Sequence, residues 1–167
     1  MKCGDKEWQH CQVEKMGCLG CYYDEKGEKK KMKEMIYSSE RKIEVLDTGY
    51  CLGLLYYILN LGTHPVAYIK IPKGHKLYNK DYDDIYKEID IDVHGGLTYS
   101  NNYLWISENQ KIEGWFIGWD YAHYGDYAGY EELMPKQYRT KGKKWTTKEI
   151  FAEVKEVCYQ IQNMQDK

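Results

Sequence analysis

Three stretches of this chain gather residue types that do chemistry. The first is Asp92-Val93-His94-Gly95-Gly96-Leu97-Thr98-Tyr99-Ser100. Two consecutive glycines after a histidine let the backbone turn sharply or let a ligand come close. Amides exposed at such a turn can hold an anion such as phosphate, and Thr98, Tyr99 and Ser100 add three hydroxyls. The plainer alternative is a glycine-bent turn whose histidine bonds only to backbone. The second stretch, Gly118-Trp119-Asp120-Tyr121-Ala122-His123-Tyr124-Gly125-Asp126, sets Asp120, His123 and Asp126 three residues apart. That spacing would put them on one side of a tight helical turn. A carboxylate beside an imidazole fixes its tautomer and raises its basicity, which suits general-base work or metal ligation. An Asp-capped loop with a surface histidine is the alternative. In the third stretch, Ile71-Pro72-Lys73-Gly74-His75-Lys76-Leu77-Tyr78-Asn79-Lys80-Asp81-Tyr82, proline and glycine mark a loop leaving a strand. Two or three of its lysines could meet an anionic ligand, with Lys73 and His75 as the site residues, or the loop is simply solvated.

A fourth group is made of cysteines. Four of the six lie at Cys3, Cys11, Cys18 and Cys21. Cys18-Leu19-Gly20-Cys21 is one CxxC knuckle, and Cys3 with Cys11 (or His10) could complete four ligands for a structural Zn²⁺. A standard site has two close pairs, and Cys3 and Cys11 are further apart than that. Reduced free thiols, and a disulfide or redox role, are the other readings. Cys51 and Cys158 fall on apolar stretches, where cysteine serves as a small hydrophobe.

The elements that must position these residues follow from periodicity. Residues 43–46, 51–59 and 66–71 read as strands rich in Ile, Val, Leu and Tyr. Residues 81–89 carry Ile85 and Ile89 on one side and charges on the other, as a short helix does. Residues 89–93 alternate apolar and acidic at period two, as in a half-buried strand. Residues 103–106 and 115–119 predict two more strands, with 107–114 as the hairpin connection. Thr146 and Glu149 form a capping box, and Trp145 and Ile150 stand where a hydrophobic staple would pack. Ile150, Val154, Val157, Cys158 and Ile161 then make an apolar stripe at helical spacing. The expected fold is α+β: an antiparallel or mixed sheet covered by a C-terminal helix, with a Cys-rich segment over 1–26, a charged linker over 27–42 and the folded domain over 43–167.

Composition bounds the rest. A length of 167 residues suits one domain, and a formal charge of −2 gives no general pull towards nucleic acid or anionic membrane. The apolar run over 50–61 is shorter than the ~20 residues of a membrane-spanning helix. No secretory pattern opens the chain, so a cytoplasmic protein with reduced thiols is expected. The 18 tyrosines against two phenylalanines would line polar clefts, if they are not a product of coding bias.

The segment from Gly49 to Gly129 resembles a family of small uncharacterised proteins encoded by tailed phages and prophages. The resemblance rests on Ile71-Pro72-Lys73-Gly74-His75, on Asp92-Val93-His94-Gly95-Gly96-Leu97-Thr98-Tyr99 and on Gly118-Trp119-Asp120-Tyr121-Ala122-His123-Tyr124-Gly125-Asp126. The Trp145-Thr146 helix start fits the same pattern, and the cysteine segment lies outside it. The resemblance implies a phage origin and the cytoplasm of a bacterial host; it carries no catalytic residues.

These readings converge on a ligand site made of Lys73, His75, His94, Gly95, Gly96, Thr98, Tyr99, Asp120, His123 and Asp126. The expected role is an anti-defence accessory protein that sequesters a nucleotide-derived immune signal, a cyclic ADP-ribose type or a cyclic dinucleotide. Tyrosine rings would stack on the base, while amides, hydroxyls and lysines take the phosphate. One alternative is a phosphodiesterase or related hydrolase in which His94, Asp120, His123 and Asp126 work as acid and base or hold one metal. Another is an inhibitor of a host protein. A homo-oligomer is left open. Histidines at strand ends around an open pocket should contribute little to stability.

Overall fold

The computed structural model describes residues 43–89, 91–127 and 142–164, together with the backbone of 22–23 and 29–30. The chain divides into two compact units, Met1–Arg41 with Gly129–Thr140, and Lys42–Ala128 with Lys141–Lys167. In the first unit, β1 (Tyr22–Tyr23) pairs antiparallel with β2 (Lys29–Lys30). This short ladder crosses the 26/27 boundary read from the sequence. The four N-terminal cysteines lie outside the described residues.

The second unit is built on five strands: β3 (Glu44–Cys51), β4 (Leu54–Asn60), β5 (Pro65–Ile71), β6 (Tyr99–Ser107) and β7 (Gln110–Asp120). They form one sheet in the order β3-β4-β5-β7-β6, and every pairing is antiparallel. Alternation along each strand sends side chains to two faces. Leu54, Tyr56, Ile58, Ala67, Ile69, Ile117 and Trp119 join one cluster, while Leu59, Val66, Tyr68, Leu104 and Phe116 join another. The first face receives both helices.

Helix α1 (Tyr82–Glu88) starts at Asp81, whose carboxylate accepts from the Asp83 amide, and it buries Ile85. Helix α2 (Thr147–Asn163) starts at Thr146 with both bonds of the expected capping box in place. Its stripe of Ile150, Val154, Val157, Cys158 and Ile161 is fully buried. Each aliphatic member contributes roughly 1.5–3 kcal/mol by leaving water. Trp145 and Ile150 belong to the same apolar cluster, as a staple requires.

Two local expectations need correction. Residues 91–93 form no strand. Their alternation is real, with Ile91 buried and Asp92 exposed, but the partner is a helix side chain. The Gln160 carboxamide accepts from the Asp92 amide at 2.9 Å and donates to the Asp92 carbonyl at 2.8 Å. A primary amide thus supplies the donor–acceptor pair that a neighbouring strand would have offered. The hairpin connection between β6 and β7 is also shorter than expected: Ser107 pairs with Gln110, leaving Glu108 and Asn109 as the turn. No helix among the described residues is long and apolar enough to cross a membrane.

Candidate functional site

Strand β7 ends at Asp120, and the chain then bends back through 121–126. The Asp126 amide donates to the His123 carbonyl at 2.9 Å, while the His123 amide donates to the Asp126 carboxylate at 3.0 Å. These reciprocal bonds close a turn rather than the helical turn that the spacing suggested. The turn is tied to the entry of α2 through Asp126 and Lys143: the Lys143 amide reaches the Gly125 carbonyl at 2.7 Å, and the Tyr127 amide reaches the Lys143 carbonyl at 2.9 Å.

Asp126 is the centre of the arrangement. Its side chain is 4% exposed, and Oδ2 accepts from His94 Nε2 at 2.7 Å. Its Oδ1 accepts from Trp145 Nε1, also at 2.7 Å. Burial alone would raise this carboxyl, but the bonds from His94, Trp145 and the His123 amide outweigh it and hold Asp126 below its ordinary range. His94 stacks on Tyr121 with ring centroids 5.2 Å apart and planes 9° from parallel, and Trp145 closes in at 4.8 Å. The imidazole is therefore fixed in position, plane and tautomer. Nε2 is occupied by Asp126, leaving Nδ1 as the ring position for anything that approaches.

A second carboxylate supports the same histidine from the helix. Glu153 Oε1 accepts from the His94 amide at 2.9 Å, and Oε2 accepts from Trp119 Nε1 at 3.1 Å and from the Tyr121 hydroxyl. Burial, then the bond to Glu153, pushes the Tyr121 phenol far above its ordinary value. His123 lies edge-on to His94, with centroids 5.4 Å apart. Its Nε2 is shut off from solvent without a hydrogen-bond partner and stands 3.6 Å from Asp120 Oδ1. Asp120 Oδ2 accepts from the Thr98 hydroxyl at 2.8 Å.

The structure thus brings together His94, Gly95, Thr98, Asp120, His123 and Asp126. Gly95 has φ +67 and lies against the His123 ring; Gly96, at φ +83, completes the turn by donating to the Val93 carbonyl at 3.0 Å. The carboxylate partners are crossed between motifs, because Asp126 takes His94 and Asp120 stands next to His123.

Three residues of the expected site lie elsewhere. His75 is 6% exposed; Nε2 donates to the Ile161 carbonyl at 3.1 Å and Nδ1 accepts from the Leu77 amide at 3.1 Å. Its polar atoms are spent holding the end of α2 to the loop after β5. Lys73 lines a separate cavity at the other end of the sheet. Tyr99 belongs to the face away from α2, where its hydroxyl donates to the Tyr103 carbonyl at 2.5 Å and its ring meets Tyr68 edge-on.

Trp145, Tyr121 and Glu153 complete the site and were not selected by sequence reasoning. Glu153 did leave a signal: it stands three after Ile150 and four before Val157, inside the apolar stripe, where a carboxylate needs partners.

A cleft of about 600 Å³ opens beside His94, lined also by Asp92, Glu153, Glu156 and Gln160. Among the described residues no three His, Cys, Asp or Glu side chains are grouped to hold a metal ion. No family model, curated protein or solved structure matches this chain.

Proposed function

We propose that this protein binds a small ribonucleotide-type ligand in the cleft beside His94 and holds it rather than converting it. The observation that carries this reading is the 2.7 Å bond from His94 Nε2 to a buried Asp126 whose other oxygen is fixed by Trp145. An imidazole held on three sides offers one ring nitrogen in a set direction, which is what preorganised recognition needs. The cleft volume of about 600 Å³ suits a ligand of that size. Its lining by Asp92, Glu153 and Glu156 favours hydroxyls and amines over phosphate. The ribose or base, not the phosphate, therefore faces this cleft. The motif resemblance to phage proteins supports an anti-defence role, in which the captured molecule is an immune signal of the cyclic ADP-ribose or cyclic dinucleotide type.

The His94–Asp126 pair would also serve a hydrolase as a general base, and this is the second reading. Against a covalent form of it stands Thr98, whose hydroxyl faces the Asp120 carboxylate rather than an imidazole. In a nucleophile–base pair the hydroxyl must point at the base. Incubation of the purified protein with cyclic dinucleotides and ADP-ribose derivatives, followed by denaturation and chromatography of the released material, separates the readings. Recovery of intact ligand in stoichiometric amount is the expected result. Recovery of a cleaved product establishes the hydrolase instead, and no retention of any member of the panel removes both.

A further inference from the structure

A second cavity, of about 640 Å³, lies at the opposite end of the β5–β7 ladder. That ladder runs from the Val66–Asp120 pair to the Ile71–Trp115 pair, five steps or about 17 Å. We propose that this cavity is a distinct binding site for a planar aromatic ring carrying an anionic group, the chemistry of a mononucleotide.

The cavity wraps the strand ends. Tyr50 pairs with Leu55 and so shares the face of Lys70, away from α2, whereas Trp115 and Tyr78 pack on the helix-covered cluster. The Tyr78 and Trp115 rings stand 6.2 Å apart at 50°, forming an angled aromatic wall. Tyr50 is 76% exposed and offers a third ring at the rim. Trp115 Nε1 is shut off from solvent and lacks an acceptor.

The charge at this rim is positive. Lys70 Nζ donates to the Glu113 carbonyl at 2.8 Å, lying across Gly114, where a Cβ would fall 2.1 Å from Lys70 Cε. Only glycine lets that ammonium lie there. Lys73 is exposed on the loop beyond β5 and has no ion-pair partner among the described residues. The carboxylate in the cavity lining, Glu113, is paired with Lys111 at 2.8 Å. Two ammonium groups and three aromatic rings around one cavity supply what stacking a base and neutralising a phosphate need. The cleft beside His94 has the opposite charge.

The test uses the indole N–H signals of ¹⁵N-labelled full-length protein, which has five tryptophans; the Trp115 signal is assigned with Trp115→Phe. AMP is titrated, with adenosine and inorganic phosphate as separate arms. The expected result is a saturable shift of the Trp115 signal with AMP, and weaker binding of adenosine alone. Lys73→Ala should weaken AMP about tenfold, as loss of one charge-assisted contact does, and leave adenosine unchanged. A Trp115 signal that stays still at millimolar AMP overturns the proposal. So does an AMP affinity that Lys73→Ala leaves intact. Shifts confined to Trp119 and Trp145 would assign AMP to the His94 cleft, against this site but not against the function proposed above.

Discussion

The ring of His123 lies so close to Gly95 that a Cβ built on the glycine would fall 1.9 Å from Nε2. At Gly96, by contrast, a Cβ would meet nothing within 4 Å. Both glycines have positive φ, so alanine at either position carries the left-handed strain of about 1–2 kcal/mol. Only Gly95→Ala must also displace His123. Gly95→Ala is therefore expected to lose more stability than Gly96→Ala and to move the His123 ring signals in an NMR spectrum. Equal losses, with His123 unmoved in both, would show that the contact does not matter.

Removing Asp126 should be costly. Asp126→Ala leaves Trp145 Nε1, His94 Nε2 and the His123 amide without their acceptor, an expected loss of roughly 2–4 kcal/mol in urea denaturation. His94→Ala leaves two of those bonds standing and should cost about 1–2 kcal/mol while abolishing ligand capture. The expectation that His94 contributes little to stability is thereby revised, because its ring is packed between Tyr121 and Trp145. A His94→Ala protein that captures ligand normally contradicts the proposed site.

His75 provides the converse case. His75→Ala removes the bonds to Ile161 and Leu77 from a buried position, for an expected loss of roughly 2–3 kcal/mol. Binding by the fraction that remains folded should be unaltered. Loss of binding at full foldedness would return His75 to the ligand site.

Acid stability offers a test of the helix cap. The Glu149 carboxyl lies at about 2 against an ordinary 4.5, held down by the Thr146 amide and by Lys143. A depressed value means that its charge stabilises the fold fully above about pH 4.5 and ceases to do so as pH falls towards 2. Glu149→Gln keeps the reciprocal cap and removes the titration. Urea midpoints of the two proteins should differ by a constant amount above pH 4.5 and converge in acid. A difference that persists unchanged at pH 2 would rule out the linkage.

Legibility in the sequence followed the range of the interactions involved. The capping box of α2 was plain because Thr146 and Glu149 are three residues apart and answer each other. The edge strands were read short, as was the first half of internal β7, where Lys111 and Glu113 face solvent. β3 runs through Asp47, Thr48 and Gly49, and β6 begins with Tyr99, Ser100, Asn101 and Asn102. An edge strand faces solvent along one side and carries polar residues that blur the period. Central β5 was found almost to the residue, as its apolar run is continuous. In the site, the two histidine motifs were visible as local clusters. Their joining by Asp126 and their support by Trp145 and Glu153 are contacts between distant segments, which no local pattern encodes.

The dependence on α2 also fixes an order of events during synthesis. Asp92 meets Gln160 at a separation of 68 positions along the chain, and the His94 amide meets Glu153 at a separation of 59. All five strands of the sheet are translated before either partner. The 91–94 segment therefore waits for α2 before it is anchored, and the proposed ligand site is completed only with that helix. Binding activity in a synchronised translation reaction should thus lag behind sheet formation, a delay written into the chain by where it keeps Glu153 and Gln160.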